Sequence, residues 1–189
     1  MTDFIQDMNV FFNSITETIQ AENQDLYELI SKNKKTLKLH KSISPNFYFL
    51  NNCTISYLIY KKILSINWPY EVLLQHYYPQ KNHIADLIIK KDSDTIACIN
   101  LLRWKSNESN EIKSYLENFR LIKKKIRRFV IVFWIEEKSD NYFDWLKIDL
   151  DKYFKINLIS EYDFSVVDFD FYNDKEIQKK AVITMFELT

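Results

Sequence analysis

The chain has no glycine in 189 residues, where average usage would supply roughly 13. Without glycine it cannot build a glycine-rich phosphate cradle, so a P-loop and a G-x-G-x-x-G dinucleotide site are both excluded. No nucleotide cofactor is expected. Tight turns must instead use Asn, Asp and Ser, as in KDSD at 91–94, because Asx side chains tolerate the turn conformations that glycine otherwise provides.

Cysteine is scarce too. Only Cys53 and Cys98 occur, with no C-x-x-C or Cys/His spacing around them, so a zinc site is not expected and both read as buried thiols in apolar neighbourhoods. The longest apolar run, FVIVFWI at 129–135, falls far short of the ~20 residues of a membrane span. The opening MTDFIQDMNVFF carries acidic residues and no basic segment ahead of an apolar stretch, so no secretory signal and a cytoplasmic location are expected. Net charge is absent as well: 26 basic residues balance 26 acidic ones, and no global field draws the chain to nucleic acid. Charge is only locally uneven, with basic clusters at 32–41 and 123–128 and an acidic excess over 136–174.

Apolar content of 47% and charged content of 28% are those of a folded protein, and a chain of this length can bury roughly 70% of its unfolded surface in one core. One domain is expected over 1–189, with a helical extension at 1–50, a core at 51–137 and a C-terminal extension at 138–189. Abundant Lys, Ile, Asn, Phe and Tyr suit an AT-rich coding sequence, such as a low-GC bacterium or a mobile element carries.

In the first 33 residues Phe4, Ile5, Met8, Phe11, Phe12, Ile15 and Ile19, then Leu26, Leu29 and Ile30, recur at spacings of three and four. This pattern predicts one amphipathic helix or a helix pair. A second helix is predicted from Ile55, Leu58, Ile59, Ile63, Leu64 and Ile66, with Asn51 or Asn52 as N-cap and Pro69 beyond its end. From Tyr70 the period shortens. YEVLLQHYY, HIADLII and TIACINLLRW, separated by PQKN and KKDSD, predict an antiparallel meander of three strands. EIKSYLENFRLIKKKI reads as a helix leading into RFVIVFWIEE, an apolar strand covered on both faces. Beyond it NYFDWLKIDLDKYF reads as a helix, INLI and FSVVDFDFY as short strands, and AVITMFEL as the last strand.

The order α-β-β-β-α-β, with Asp86 in the second strand and polar Asn100 in the third, resembles the PD-(D/E)XK, or restriction-endonuclease-like, nuclease superfamily. The match runs over about 51–137, under half of the chain. The resemblance implies an α/β (α+β) fold with a mixed sheet flanked by helices. It also implies carboxylates on the first three strands that hold Mg²⁺, and a lysine after an E-x-K spacing on the third. Laid on that pattern, Asp86 supplies the aspartate, Asn100 stands at the glutamate position and Leu102 at the lysine position. Gln75 falls where an acidic residue is frequent, with Glu71 nearby. Arg103 and Lys105 are candidates for a migrated cation, but strand parity sets 100, 102 and 104 on one face and 103 and 105 on the other.

These substitutions leave readings of different class. The favoured one is a catalytically inactive domain of this type that needs no cofactor and binds a protein or nucleic-acid partner in a bacterial defence, mobile-element or phage context. Nucleic acid would be held by Lys34, Lys35, Lys123, Lys124, Lys125, Arg127 and Arg128 with aromatic neighbours such as Tyr57, Tyr60, Trp104 and Tyr115. The bland reading of 123–128 is a solvated helix end whose cations face the dipole. An alternative is an active Mg²⁺-dependent nuclease built from Glu71, Asp86, Asn100 and Lys105, with Asp86 as the metal ligand. His76 and His83 read as turn and strand-end residues that, near Asp86, offer a transition-metal alternative. A third reading is an immunity or inhibitor protein using the acidic stretch at 161–174, whose bland counterpart is a charged edge strand.

Overall fold

A computed structural model of the chain describes residues 2–37, 52–77, 84–103, 122, 125–136, 154–170 and 175–189. Helices α1 (Thr2–Leu37) and α2 (Asn52–Ser65) accompany one six-stranded sheet. Its strands are β1 (Glu71–Tyr77), β2 (Ile84–Lys91), β3 (Asp94–Arg103), β4 (Arg127–Glu136), β5 (Ile156–Asp170) and β6 (Lys175–Leu188), in the order β1-β2-β3-β4-β6-β5. The architecture is α+β with a mixed sheet: β1, β2 and β3 form the expected antiparallel meander, β3 and β4 run parallel, and β6 pairs antiparallel with both β4 and β5. Parallel neighbours need a crossover of a dozen or more residues, which the chain between Arg103 and Arg127 supplies. Most of the helix expected there, like the one expected at 141–154, lies outside the described residues. Among the described residues no helix is long and apolar enough to cross a membrane.

Two apolar layers sandwich the sheet. Met8, Phe11, Phe12, Ile15 and Ile19 of α1 and Ile55, Ile59 and Ile63 of α2 meet Leu87, Ile99, Phe129, Ile131, Phe133 and Ile183 on one face. On the other, Ile88, Cys98, Leu102, Val130, Val132, Trp134 and Phe186 are covered with Ile122, Ile126 and Phe154. Alternate residues of β4 therefore serve opposite cores, as an unbroken apolar run requires. Each large side chain taken from water contributes about 1.5–3 kcal/mol, enough to override the middling helix propensity of Phe and Ile in α1.

The N-terminal stripe runs as one helix up to Asn33, whose non-helical φ of −115° and ψ of 16° kink it before the last residues to Leu37. The stripe position after Ile19 is occupied by Asn23, a buried polar residue that the apolar pattern does not announce. Polar bonds fix the helix laterally: the Tyr70 hydroxyl donates to Asp7 Oδ2 at 2.7 Å, the Trp68 indole to the Asp7 carbonyl at 3.3 Å, and the Tyr162 hydroxyl to Gln20 Oε1 at 2.8 Å. Helix α2 ends in an Ile66 N–H to Ile63 carbonyl bond of 3.2 Å, and Asn67 then takes the left-handed conformation at φ 49° where glycine is usual.

The C-terminal strands depart from expectation. INLI and the FSVVDFD part of the second segment belong to one 15-residue strand, β5, with an irregularity between Leu158 and Ser160, and β6 begins at Lys175 rather than Ala181. Most of the added residues are polar and exposed, so burial gives little alternation to read; backbone pairing and the Asp163–Lys180 ion pair at 3.6 Å join the strands instead. Cys53 also departs from expectation: it is exposed on α2, while Cys98 is buried, and neither is in a disulfide.

The β2–β3 turn shows what the missing glycine costs. Asp92 and Ser93 both have positive φ, 50° and 70°, the pair of conformations that defines the hairpin turn usually built from Asn-Gly or Asp-Gly. A non-glycine residue there is strained by about 1–2 kcal/mol. Ser93→Gly is expected to raise unfolding free energy by about 1 kcal/mol in urea denaturation, with no change in the sheet.

Candidate functional site

Asp86 sits near the start of β2, at the end of the strand away from the Asp92–Ser93 turn. The β2–β3 ladder runs from Lys91 opposite Asp94 to Leu87 opposite Ile99, with an irregularity at Ile89/Lys90. One step further along both strands sets Asp86 across from Asn100. There the side chain enters the hydrogen bonding between the strands: the Leu101 backbone N–H donates to Asp86 Oδ2 at 2.8 Å. Burial pushes the Asp86 carboxyl from 3.8 up to about 6, against the opposing pull of that bond.

Asn100 and Leu102 occupy the β3 positions that the nuclease resemblance assigns to its glutamate and lysine. Asn100 is 0% exposed and neither its Oδ1 nor its Nδ2 has a hydrogen-bond partner within the protein. Leu102 is 4% exposed and belongs to the apolar layer with Val130 and Val132. Glu71 begins β1 opposite Lys90, whereas continuation of the β1–β2 register sets Gln75 against Asp86. Four residues therefore separate Glu71 from Asp86's position, about 13 Å along a strand, so the two carboxylates do not share a site. Lys105, the fourth member of the atypical set, and His83 lie outside the described residues. The His76 backbone pairs with Ala85 in the β1–β2 ladder.

A Mg²⁺ ion, implied by the resemblance, needs hard oxygen donors in near-octahedral array. Asp86 offers one carboxylate, already engaged at Oδ2 and held toward its neutral form. Asn100 offers a neutral amide oxygen and Leu102 none. This donor set does not fit a divalent cation. Among the described residues no group of three or more His, Cys, Asp or Glu is gathered into a metal-ligating cluster.

Of the expected nucleic-acid residues, Lys125, Arg127 and Arg128 have side chains among the described ones. Lys125 is exposed. Lys34 and Lys35 lie in the last turn of α1, and Lys123 and Lys124 fall outside the description, as do Trp104 and Tyr115. Arg127 and Arg128 have structural partners. Arg128 donates through Nη2 to the Ile122 carbonyl at 2.7 Å. Arg127 donates through Nε to Glu187 Oε1 at 2.6 Å, and its guanidinium lies 5.2 Å from the Phe4 ring centroid and 5.5 Å from that of Phe129. Sequence reasoning missed this clamp, although its signal was present: Glu187 is a lone charge in the apolar run AVITMFEL, as Asp86 is in IADLII. The acidic stretch at 161–174 includes exposed Glu161 and Asp163 on β5, an edge strand of the sheet. Charge there discourages pairing with a further strand.

Comparison with protein-family models, curated proteins and solved structures finds no match for this chain.

Two outcomes follow from this geometry. Because the folded-state value of Asp86 is raised, its contribution to stability is fully present below 3.8 and is lost as pH rises through about 6. At about 1.4 kcal/mol per pH unit the difference amounts to roughly 3 kcal/mol. Asp86→Asn, which keeps an acceptor for the Leu101 amide, should match the parent near pH 4 and exceed its unfolding free energy by up to about 3 kcal/mol at pH 7.5, measured by denaturant titration across pH. Arg127→Ala strands Glu187, whose side chain is 11% exposed, and is expected to lower unfolding free energy by about 2 kcal/mol, between the values for exposed and buried pairs; an equal melting temperature for parent and variant would overturn the clamp.

Proposed function

We propose that this chain is a catalytically inactive domain of the PD-(D/E)XK type that acts by binding a protein or nucleic-acid partner. The observation that carries this reading is the state of the third strand: the position assigned to a metal-binding glutamate is a fully buried amide, and the position assigned to the lysine is a leucine packed in the core. Phosphodiester hydrolysis in such a site needs carboxylates to hold the metal and a cation to offset developing charge, and β3 supplies neither at those positions. The scaffold reading is supported by the order α2-β1-β2-β3-β4 and by the parallel β3–β4 pair, which agree with a mixed sheet closed by a crossover. Balanced charge and 16% aromatic residues favour a protein partner slightly, since aromatic side chains anchor protein interfaces.

The test is a gel assay of labelled single- and double-stranded DNA and RNA with EDTA, Mg²⁺ or Mn²⁺ across a salt series. Intact substrates in every lane are expected. Retardation that weakens with salt would identify nucleic acid as the partner, and free substrate would direct the search to proteins. Metal-dependent products that disappear in Asp86→Ala would overturn the inactive reading.

A further inference from the structure

Asn100 brings one strong acceptor and two N–H donors into an apolar layer, and none of them is bonded within the protein. Leaving such groups unbonded forfeits their hydration without replacement, and buried polar groups in folded proteins are mostly paired with protein or ordered water. The flanking positions cannot help: Asn100 is registered against Val130 on β4, and Val130 against Phe186 on β6. The polar side chain across from it is Asp86, whose recorded hydrogen bond is the one from Leu101 to Oδ2. That leaves Oδ1 for another donor. The two side chains sit at opposed strand positions, where side chains are close neighbours, yet Asn100 does not bond to Asp86, and a molecule with both donor and acceptor character can bridge groups so placed.

We propose that Asp86 Oδ1 and the Asn100 carboxamide together form a binding site for a single buried water molecule. The water donates to the Asp86 carboxylate and to Asn100 Oδ1, or accepts from Asn100 Nδ2, and so reaches the two to four polar partners that a retained internal water requires. A cation is the competing occupant, since both side chains present oxygen, but one carboxylate and one amide fall short of the oxygen ligands that Mg²⁺ or Ca²⁺ collects. A water at this point also joins the ends of β2 and β3 beyond their last backbone pair, beside the Leu101–Asp86 bond. The site exists whether or not the chain binds a partner.

The test is an atomic-resolution crystal structure of the full chain, together with water-to-amide magnetisation transfer to the Asn100 side-chain NH₂ in solution. One density peak is expected within about 2.7–3.2 Å of both Asp86 Oδ1 and the Asn100 amide, matched by transfer to that NH₂. In Asn100→Leu the peak should vanish while the fold persists. A direct Asp86–Asn100 bond, an unfilled gap between them, or a peak that gives anomalous signal after Mn²⁺ soaking would each overturn the assignment. If Asn100→Leu fails to fold, the density and transfer data on the parent chain decide the matter alone.

Discussion

The burial of β4 on both faces is the constraint from which the rest of the molecule follows. Phe129, Ile131 and Phe133 need one apolar cover and Val130, Val132 and Trp134 need another, so the sheet must have two clothed sides and β4 must lie inside it. Helices α1 and α2 supply the first cover. The parallel partner β3 and the antiparallel partner β6 supply the edges. A polar side chain on the layer facing away from α1 and α2, on a strand adjacent to β4, is thereby committed to full burial. This is the position of Asn100, whose row continues through Val130 to Phe186, and its lack of solvent follows from β4's composition rather than from anything local to β3.

That placement bears directly on function. A hydrolytic site on a sheet needs charged groups that water and a phosphate can reach, and the row containing Asn100 is closed by apolar side chains. Leucine at 102 extends the closure by one step in the next row, beside Val132. An amide at 100 and an aliphatic side chain at 102 make this part of the face core, and the burial of Leu102 stabilises the sheet. The inactive reading thus rests on packing as much as on missing ligands.

Legibility in the sequence followed burial. The meander, α2 and β4 were readable because their side chains alternate or recur against a core, and the turn at Asp92–Ser93 was readable because the absence of glycine forces Asx chemistry. Strands β5 and β6 were read too short because Glu161–Asp163 and Lys175–Lys180 are polar and held by backbone pairing, for which sequence carries no period. Cys53 was misplaced for the opposite reason: α2 is apolar over much of its circumference, so a periodic pattern could not say which side faces out. At the candidate site Asp86 and Asn100 were legible as polar residues in neighbouring strands of a meander. The distance to Glu71 was not, because a register and not a residue type determines it, and the long-range pairing of Arg127 with Glu187 joins residues 60 apart in the chain.

Two carboxylates in apolar strands meet opposite fates here. Glu187 is matched by a guanidinium that also lies against Phe4 and Phe129, so its charge is compensated and contributes to order at the start of β4. Among the described residues Asp86 is held by the Leu101 backbone amide, and its charged form is opposed by burial. A residue selected for stability alone would be neutral at that position, since Asn could accept the same Leu101 amide without the penalty. Perturbed carboxylates are enriched at functional sites and also occur in structural networks. Of the two carboxylates, Asp86 is the one whose charge burial opposes, and the facing β3 positions Asn100 and Leu102 are packed as core.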